Sequence, residues 1–182
     1  MKRVFLWTSV LVLLTAISIL TVGQLNQGIP PEPLEPLYWI DDWPMFHHDL
    51  VNSGFSMSSA PDTNDVLWKY GTGGYVFSSP VVKESRVYIG SNDDHIYCLN
   101  ATNGNLIWKY QTNDNVYSSP AISKGKLYIG SNDNHIYCLN TANGNLIWKY
   151  RTDAPVAFSS PAIVNGITYM GSRDFGIYAF GS

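Results

Sequence analysis

A repeat of 40 or 41 residues constrains this chain more than any other feature. Three motifs recur in step along the 182-residue sequence. They are Ser-Ser-Pro at 78–80, 118–120 and 159–161, Tyr-(Ile/Met)-Gly at 88–90, 128–130 and 169–171, and Trp-Lys-Tyr at 68–70, 108–110 and 148–150. A unit of this length cannot bury its apolar side chains alone. The sequence therefore predicts a stack or ring of one repeated supersecondary unit.

Each repeat predicts four short antiparallel strands. Polarity alternates between turn signals, and no apolar series at spacings of three and four residues is sustained, which favours strands over helices. In the second repeat we expect strands at 116–123, 126–131, 135–140 and 146–152. The joins contain Lys124-Gly125, 132–134 and Asn143-Gly144, residue types that tight antiparallel turns select.

A four-stranded antiparallel sheet repeated around an axis is a β-propeller blade, so the predicted fold class is an all-β propeller. One proline per repeat falls in the first strand, which places that strand at an inner edge against a central channel, because proline has no N–H for a ladder. One tryptophan per repeat falls on the outermost strand, where we expect it to pack between neighbouring blades. The residues given structural roles in the repeat are Trp68, Trp108, Trp148, Gly104, Gly144, Gly90, Gly130, Gly171, Pro80, Pro120 and Pro161.

About three blades fit the sequence, at about 75–112, 115–152 and 156–180, with 65–71 as a closing fourth strand. Propellers usually have about four to eight blades, so three cannot readily close into a ring. Two explanations stay open. Either two chains related by a two-fold axis form a six-bladed ring, each lending its first strand to the other's third blade, or the chain is a partial propeller from a longer protein.

The N-terminal segment predicts export. Residues 1–3 are Met-Lys-Arg, and residues 4–23 are uncharged and largely apolar, as in a signal peptide or a transmembrane anchor. Residues 24–41 form a proline-rich linker, which suits holding a domain away from a membrane. The propeller is therefore expected outside the cytoplasm. The formal net charge of −3 and the lack of a basic stripe argue against nucleic-acid binding.

The turn and tryptophan at 100–108, repeated at 140–148, resemble the tryptophan-docking motif of the pyrroloquinoline-quinone (PQQ)-like β-propeller family. Residues 42–49, 54–56 and 67–70 are similar to the segment that opens many such propellers, so the resemblance covers roughly 42–182. The family includes quinone-dependent alcohol dehydrogenases, the outer-membrane assembly lipoprotein and kinase sensor domains. The resemblance therefore implies a fold and no single function.

The dehydrogenase branch of that family implies PQQ stacked between a tryptophan and a ring formed by two adjacent cysteines, with a calcium ion and a catalytic aspartate. The two cysteines of this chain, Cys98 and Cys138, are 40 residues apart at equivalent places in neighbouring repeats. We expect two buried free thiols there, because strands in neighbouring sheets are too far apart for a disulfide. The resemblance thus favours the non-catalytic branch, with no cofactor.

No catalytic or metal site is predicted. His47, His48 and Asp49 are adjacent, and their side chains point apart on an extended chain, so we interpret them as structural. The Asn- and Asp-rich segments at 92–95, 132–135 and 173–176 lie between the second and third strands. We interpret them as turns rather than calcium loops, because tight turns select the same residues.

The favoured function is an exported, membrane-tethered scaffold that binds a protein, peptide or glycan without catalysis. One alternative is a fragment or relative of a PQQ-dependent dehydrogenase. Another is a structural or adhesive protein of the cell surface. The expected partners are such a ligand, the membrane through the N-terminal segment, and a second copy in a closed ring.

Overall fold

The computed structural model describes residues 42–45 and 59–181, which contain three antiparallel sheets and no helix. Blade 1 contains β1 (Val81–Lys83), β2 (Arg86–Ser91), β3 (His95–Asn100) and β4 (Leu106–Gln111); blade 2 contains β5 (Ala121–Ser123), β6 (Lys126–Ser131), β7 (His135–Asn140) and β8 (Leu146–Arg151); blade 3 contains β9 (Ala162–Val164), β10 (Ile167–Gly171) and β11 (Ile177–Phe180). Within each sheet the strands lie in chain order. These blades confirm the predicted fold class.

The predicted signal or anchor at 1–23, the linker at 24–41 and the segment 47–49 lie outside the described residues. Within the described ranges, no helix is long and apolar enough to cross a membrane.

The turns between strands have the backbone that their residue types predicted. Lys124 and Gly125 adopt φ values of 48° and 71°, Asn134 adopts 65°, and Gly144 adopts 72°. Tight antiparallel connections need such left-handed residues, because their twist must match that of the flanking strands. As a result β6 and β7 begin and end at the expected residues.

The first strand of each blade is shorter than predicted, and the prolines do not lie in it. Pro80, Pro120 and Pro161 each directly precede the strand, which has three residues in every blade. The reason is a change of hydrogen-bond partner before the proline. The Gly90 N–H of β2 is bound by the Ser78 hydroxyl at 3.1 Å instead of a backbone carbonyl, and Ser159 binds the Gly171 N–H in the same way at 3.0 Å. The first strand is nevertheless an edge strand, as predicted.

Residues 65–71 form no strand in the structure, and blade 3 has three strands with β11 at its outer edge. The segment is held instead at the face of blade 1. The indole N–H of Trp68 donates to the Ala101 carbonyl at 2.9 Å, and the indole ring covers Gly104. The expected closing strand is therefore not paired with blade 3 of its own chain.

Successive blades meet through one repeated contact, which we call the valine–glycine junction. Val116 covers Gly90 and Val156 covers Gly130 so closely that a Cβ on either glycine would overlap the valine. The backbone joins at the same places, where the Val116 N–H donates to the Ser91 carbonyl at 3.1 Å and the Val156 N–H donates to the Ser131 carbonyl at 3.0 Å. Only glycine permits this approach, which explains the glycine of the Tyr-(Ile/Met)-Gly motif at Gly90 and Gly130.

Residues 42–45 lie across the inner edges of the blades. Trp43 and Val82 of β1 exchange two backbone hydrogen bonds, and the Pro44 carbonyl accepts one from the Ile122 N–H of β5 at 2.8 Å. Met45 is buried with Ala121 of β5 and Ile163 of β9. The short segment therefore covers edge-strand backbone that would otherwise be unpaired.

Candidate functional site

An exposed series of aromatic side chains crosses all three blades, and we call it the aromatic row. Its members are Tyr75, Phe77, Tyr117 and Phe158. The ring centroids of neighbours are 5.9 Å, 5.7 Å and 4.9 Å apart in that order. Tyr75, Phe77 and Phe158 are 77%, 60% and 63% exposed. Contiguous exposed aromatic surface of this kind marks interaction sites, because burying it on a partner is favourable.

Three members of the aromatic row are the residues that directly precede the three Ser-Ser-Pro motifs. Phe77 precedes Ser78, Tyr117 precedes Ser118, and Phe158 precedes Ser159. The third repeat has one extra residue, and Phe158 adopts a φ of 56°, in the left-handed region that a bulky residue seldom occupies. This backbone places Phe158 against Tyr117 despite the insertion.

Sequence reasoning missed the aromatic row. The alternating polarity predicts a first strand at 116–123, and Tyr117 falls within it as one alternating residue. A signal was available, since an aromatic residue stands directly before the repeated serines in every copy.

Polar groups border the aromatic row. The guanidinium of Arg173 lies 5.7 Å from the centroid of the Phe158 ring, and the Asn115 amide donates to the Tyr117 hydroxyl at 3.3 Å. Aromatic and arginine side chains together are enriched where proteins bind proteins. Tyr117 and Arg173 both pack on the Phe158 ring. Less of that ring is therefore open for a sugar to stack on, which favours a protein partner over a glycan.

The repeated tryptophans lie between blades. The Trp108 indole N–H donates to the Thr141 carbonyl at 2.9 Å, and its ring covers Gly144 of the following blade. Trp148 differs, because its ring packs on Phe180 with centroids 5.1 Å apart. A cleft of about 390 Å³ lies beside it, lined by Lys126, Tyr128, Trp148, Gly166, Ala179, Phe180 and Gly181. The cleft therefore lies between blades 2 and 3, and none of the residues that line it belongs to the aromatic row.

The Asp-rich segments act as turns that latch each blade. Asp93, Asp133 and Asp174 each accept a hydrogen bond from the tyrosine hydroxyl four residues later and from a backbone N–H of the preceding connection. Among the described residues, no group of His, Cys, Asp or Glu side chains is arranged to hold a metal ion. Asp133 and Asp174 accept hydrogen bonds through both carboxylate oxygens within these turns. Asn92 Oδ1, Asp93 Oδ1 and Asn132 Oδ1 are buried and accept no hydrogen bond from the described residues.

These latches shift the pKa values of their members. The hydrogen bond from Tyr178 lowers the pKa of Asp174 below its ordinary value and raises the pKa of Tyr178 to about 12. Burial alone would raise the pKa of Asp93, but hydrogen bonds from Tyr97, Gly73 and Ser91 lower it below 3.8. Asp93 and Asp174 are therefore kept charged, which suits a structural latch rather than a proton-transfer group.

The two cysteines are buried free thiols, as predicted. Each faces the tryptophan of its own blade across the sheet, Cys98 opposite Trp108 and Cys138 opposite Trp148. Burial raises the pKa of both thiols to about 11. Two cysteines held in separate blades do not fit the adjacent-cysteine ring that a PQQ site of the dehydrogenase type would need.

Comparisons with known proteins agree on the fold. A family model described as outer membrane protein assembly factor BamB matches residues 57–180. The beta-alanine-activating enzyme of Homo sapiens is 34% identical in an alignment of 73 residues, and the match covers 34% of this chain and 7% of that protein. Among solved structures, the quinohemoprotein alcohol dehydrogenase ADHIIG from Pseudomonas putida HK5 has a TM-score of 0.62 at 24% identity, covering 77% of this chain and 25% of that one.

BamB from Moraxella catarrhalis is also similar, with a TM-score of 0.53 at 21% identity over 63% of this chain and 36% of that chain. The chain thus spans well under half the length of each of these relatives. At such identities the solved structures share the propeller fold with this chain, and their activities do not transfer with it.

Proposed function

The chain belongs to the PQQ-like β-propeller family described as outer membrane protein assembly factor BamB, and we propose that it is a non-catalytic scaffold that binds an extended polypeptide. The observation that carries this proposal is the aromatic row, which crosses three blades with its outer members more than half exposed. Rings held by a rigid sheet scaffold lose little conformational freedom when a partner covers them, so they are efficient anchors for a polypeptide.

A polypeptide suits the aromatic row better than a small molecule does. The row is long and open, whereas sites for small ligands are concave and enclose most of the ligand. The relationship to BamB, which is described as an assembly factor for outer membrane proteins, supports a protein partner.

Binding to an array of extended peptides tests the proposal, with the full chain as the probe. The double variant Phe77→Ala with Phe158→Ala should bind the selected peptides about tenfold more weakly or worse, because it removes two exposed anchors. Leu146→Ala with Ile147→Ala is the matched control, since these side chains are 41% and 44% exposed on the outer strand of blade 2. Equal binding by both variants, or binding to a glycan array alone, would contradict a polypeptide partner.

We also propose an extracytoplasmic location with attachment through residues 1–23. The apolar composition of 4–23 and the description of BamB as an outer membrane protein assembly factor support this location. Fractionation of cells that express the full chain, compared with a chain lacking residues 1–36, tests it. The full chain should be found in the membrane fraction, and the chain lacking residues 1–36 should not. Recovery of the full chain in the cytoplasmic fraction would contradict the proposal.

A second candidate is a piece or relative of a PQQ-dependent dehydrogenase, favoured by the fold shared with the alcohol dehydrogenase ADHIIG. The positions of Cys98 and Cys138 argue against it. Adding PQQ with calcium to the full chain separates the two functions. The scaffold function predicts neither bound-quinone absorbance nor dye-linked alcohol oxidation, whereas turnover would establish the dehydrogenase.

A further inference from the structure

We propose that Asn100 is the acceptor for an N-linked glycan on the exported chain. Asn100-Ala101-Thr102 is the one Asn-x-Ser/Thr sequence in the chain, and such a sequence accepts oligosaccharides in exported proteins. The donor of the sugar is an oligosaccharide linked to a polyprenyl diphosphate in the membrane. The inference rests on the extracytoplasmic location proposed above, and it is independent of what the aromatic row binds.

The transfer needs a free side-chain amide on the asparagine. The Asn100 Nδ2 forms a bond to the anomeric carbon of the first sugar and loses one proton. The bond between that carbon and the diphosphate oxygen breaks, and the polyprenyl diphosphate leaves with the electron pair. Within the described ranges the Asn100 Nδ2 forms no hydrogen bond and is not buried. A glycan attached to this nitrogen would therefore replace no hydrogen bond of the fold.

The turn that holds Asn100 is compatible with the modification. The Asn100 Oδ1 accepts hydrogen bonds from the Thr102 N–H at 2.9 Å and from the Asn103 N–H at 3.1 Å. Both bonds use the side-chain carbonyl oxygen, in the manner of a local turn closed by asparagine. An N-linked glycan leaves that oxygen in place, because the modified group is still an amide. The glycosylated asparagine can therefore close the same turn.

The fold does not account for the hydroxyl group of Thr102. This residue is exposed, and among the described residues its hydroxyl has no hydrogen-bond partner. The equivalent turn of blade 2 has the last two residues in reverse order, as Asn140-Thr141-Ala142. There the Thr141 hydroxyl donates to the Gly125 carbonyl at 3.1 Å. The turn thus forms without a threonine two residues after the asparagine, whereas glycan transfer requires a hydroxyl there.

Blade 2 shows that neighbouring blades leave this turn accessible. It has a valine–glycine junction on each side, and the Trp108 indole of blade 1 donates to its Thr141 carbonyl. Even so, Asn140 is half-buried, as Asn100 is, and the residue two positions after it is exposed, as Thr102 is. Further blades before blade 1 would therefore leave the acceptor sequence within reach of solvent.

The acceptor turn lies at the end of blade 1 opposite the aromatic row. The Ala101 N–H donates to the Ser85 carbonyl in the turn between β1 and β2 at 2.9 Å. The Tyr75 carbonyl of the row instead accepts the Asn92 N–H at 2.9 Å, just before β3 begins. The six residues of β3 separate the two ends, a distance of about 20 Å at the usual rise of a strand. A glycan on Asn100 would therefore leave the aromatic row open to a partner.

Mass spectrometry of the full chain, isolated from the cells that make it, tests the proposal. The peptide that contains Asn100 should carry an oligosaccharide. The peptide that contains Asn140 is the internal control and should carry none, because it has the same turn without the acceptor sequence. An exported chain with an unmodified Asn100, or with equal modification at both sites, would overturn the site and leave the location intact. A full chain confined to the cytoplasmic fraction would overturn both.

Variants made in the same cells test the assignment to this sequence. Thr102→Ala should lose the glycan, whereas Thr102→Ser is the matched control and should keep it, because serine retains a hydroxyl. Asn100→Asp should also lose the glycan, since a carboxylate can accept the two hydrogen bonds of the turn but has no amide nitrogen. Retention of the glycan by Thr102→Ala, or its loss from Thr102→Ser, would refute the assignment.

Discussion

At the residue scale, glycine decides where the blades of this protein can approach one another. Gly144 serves in two ways, because its φ of 72° is left-handed and the Trp108 ring lies where a side chain would begin. Gly166 has a similar φ of 77°, and its Cβ would meet nothing within 4 Å. Comparing substitutions at the two glycines therefore separates two free-energy costs, that of a left-handed backbone and that of displacing the Trp108 ring.

Replacing these glycines by alanine should show that difference. Gly166→Ala should lower the free energy of unfolding by about 1 kcal/mol through the left-handed backbone alone. Gly144→Ala should cost roughly 1–3 kcal/mol more, because the Trp108 ring must move to relieve the overlap. Urea denaturation at equal protein concentrations measures both. Equal losses for the two variants would mean that the tryptophan does not hold the turn.

At the scale of single elements, the aspartate–tyrosine latches order the turn between the second and third strands of every blade. The sequence predicted these turns, and it predicted β6 and β7 to the residue, because turn residues and alternating polarity act locally. It did not predict the shortened first strand, because the Ser78 hydroxyl takes the place of a backbone partner only once the two strands are side by side.

The candidate site could be predicted less well than the strands. Phe77, Tyr117 and Phe158 read as alternating strand residues, and nothing local indicates that they remain exposed in a continuous row. The position of Phe158 depends on its left-handed backbone and on contact with Tyr117, neither of which has a separate sequence signal.

The latches predict loss of stability in acid. The pKa of Asp93 is lower in the folded protein than the ordinary 3.8, so its contribution is present above that pH and is lost as the pH falls through the lowered value. Tyr97→Phe removes a hydrogen bond to Asp93 and should cost about 1 kcal/mol at neutral pH. It should also make stability depend less on pH in acid. Tyr117→Phe is the control, because the Tyr117 hydroxyl is bonded to an amide. Identical acid dependence in the wild type and Tyr97→Phe would argue against the latch.

At the scale of the whole molecule, one valine–glycine junction explains how successive blades pack. Val116 and Val156 are fully buried on glycines of the preceding blade, whereas Val76 has the same sequence position and is 45% exposed.

Amide hydrogen exchange at the three valines tests this central claim most directly. The Val116 and Val156 amides donate across junctions within the chain and should exchange slowly. Val76 is 45% exposed, and its amide should exchange faster than either of the other two. Equally fast exchange at all three valines would contradict the account, because the junctions would then not hold successive blades together.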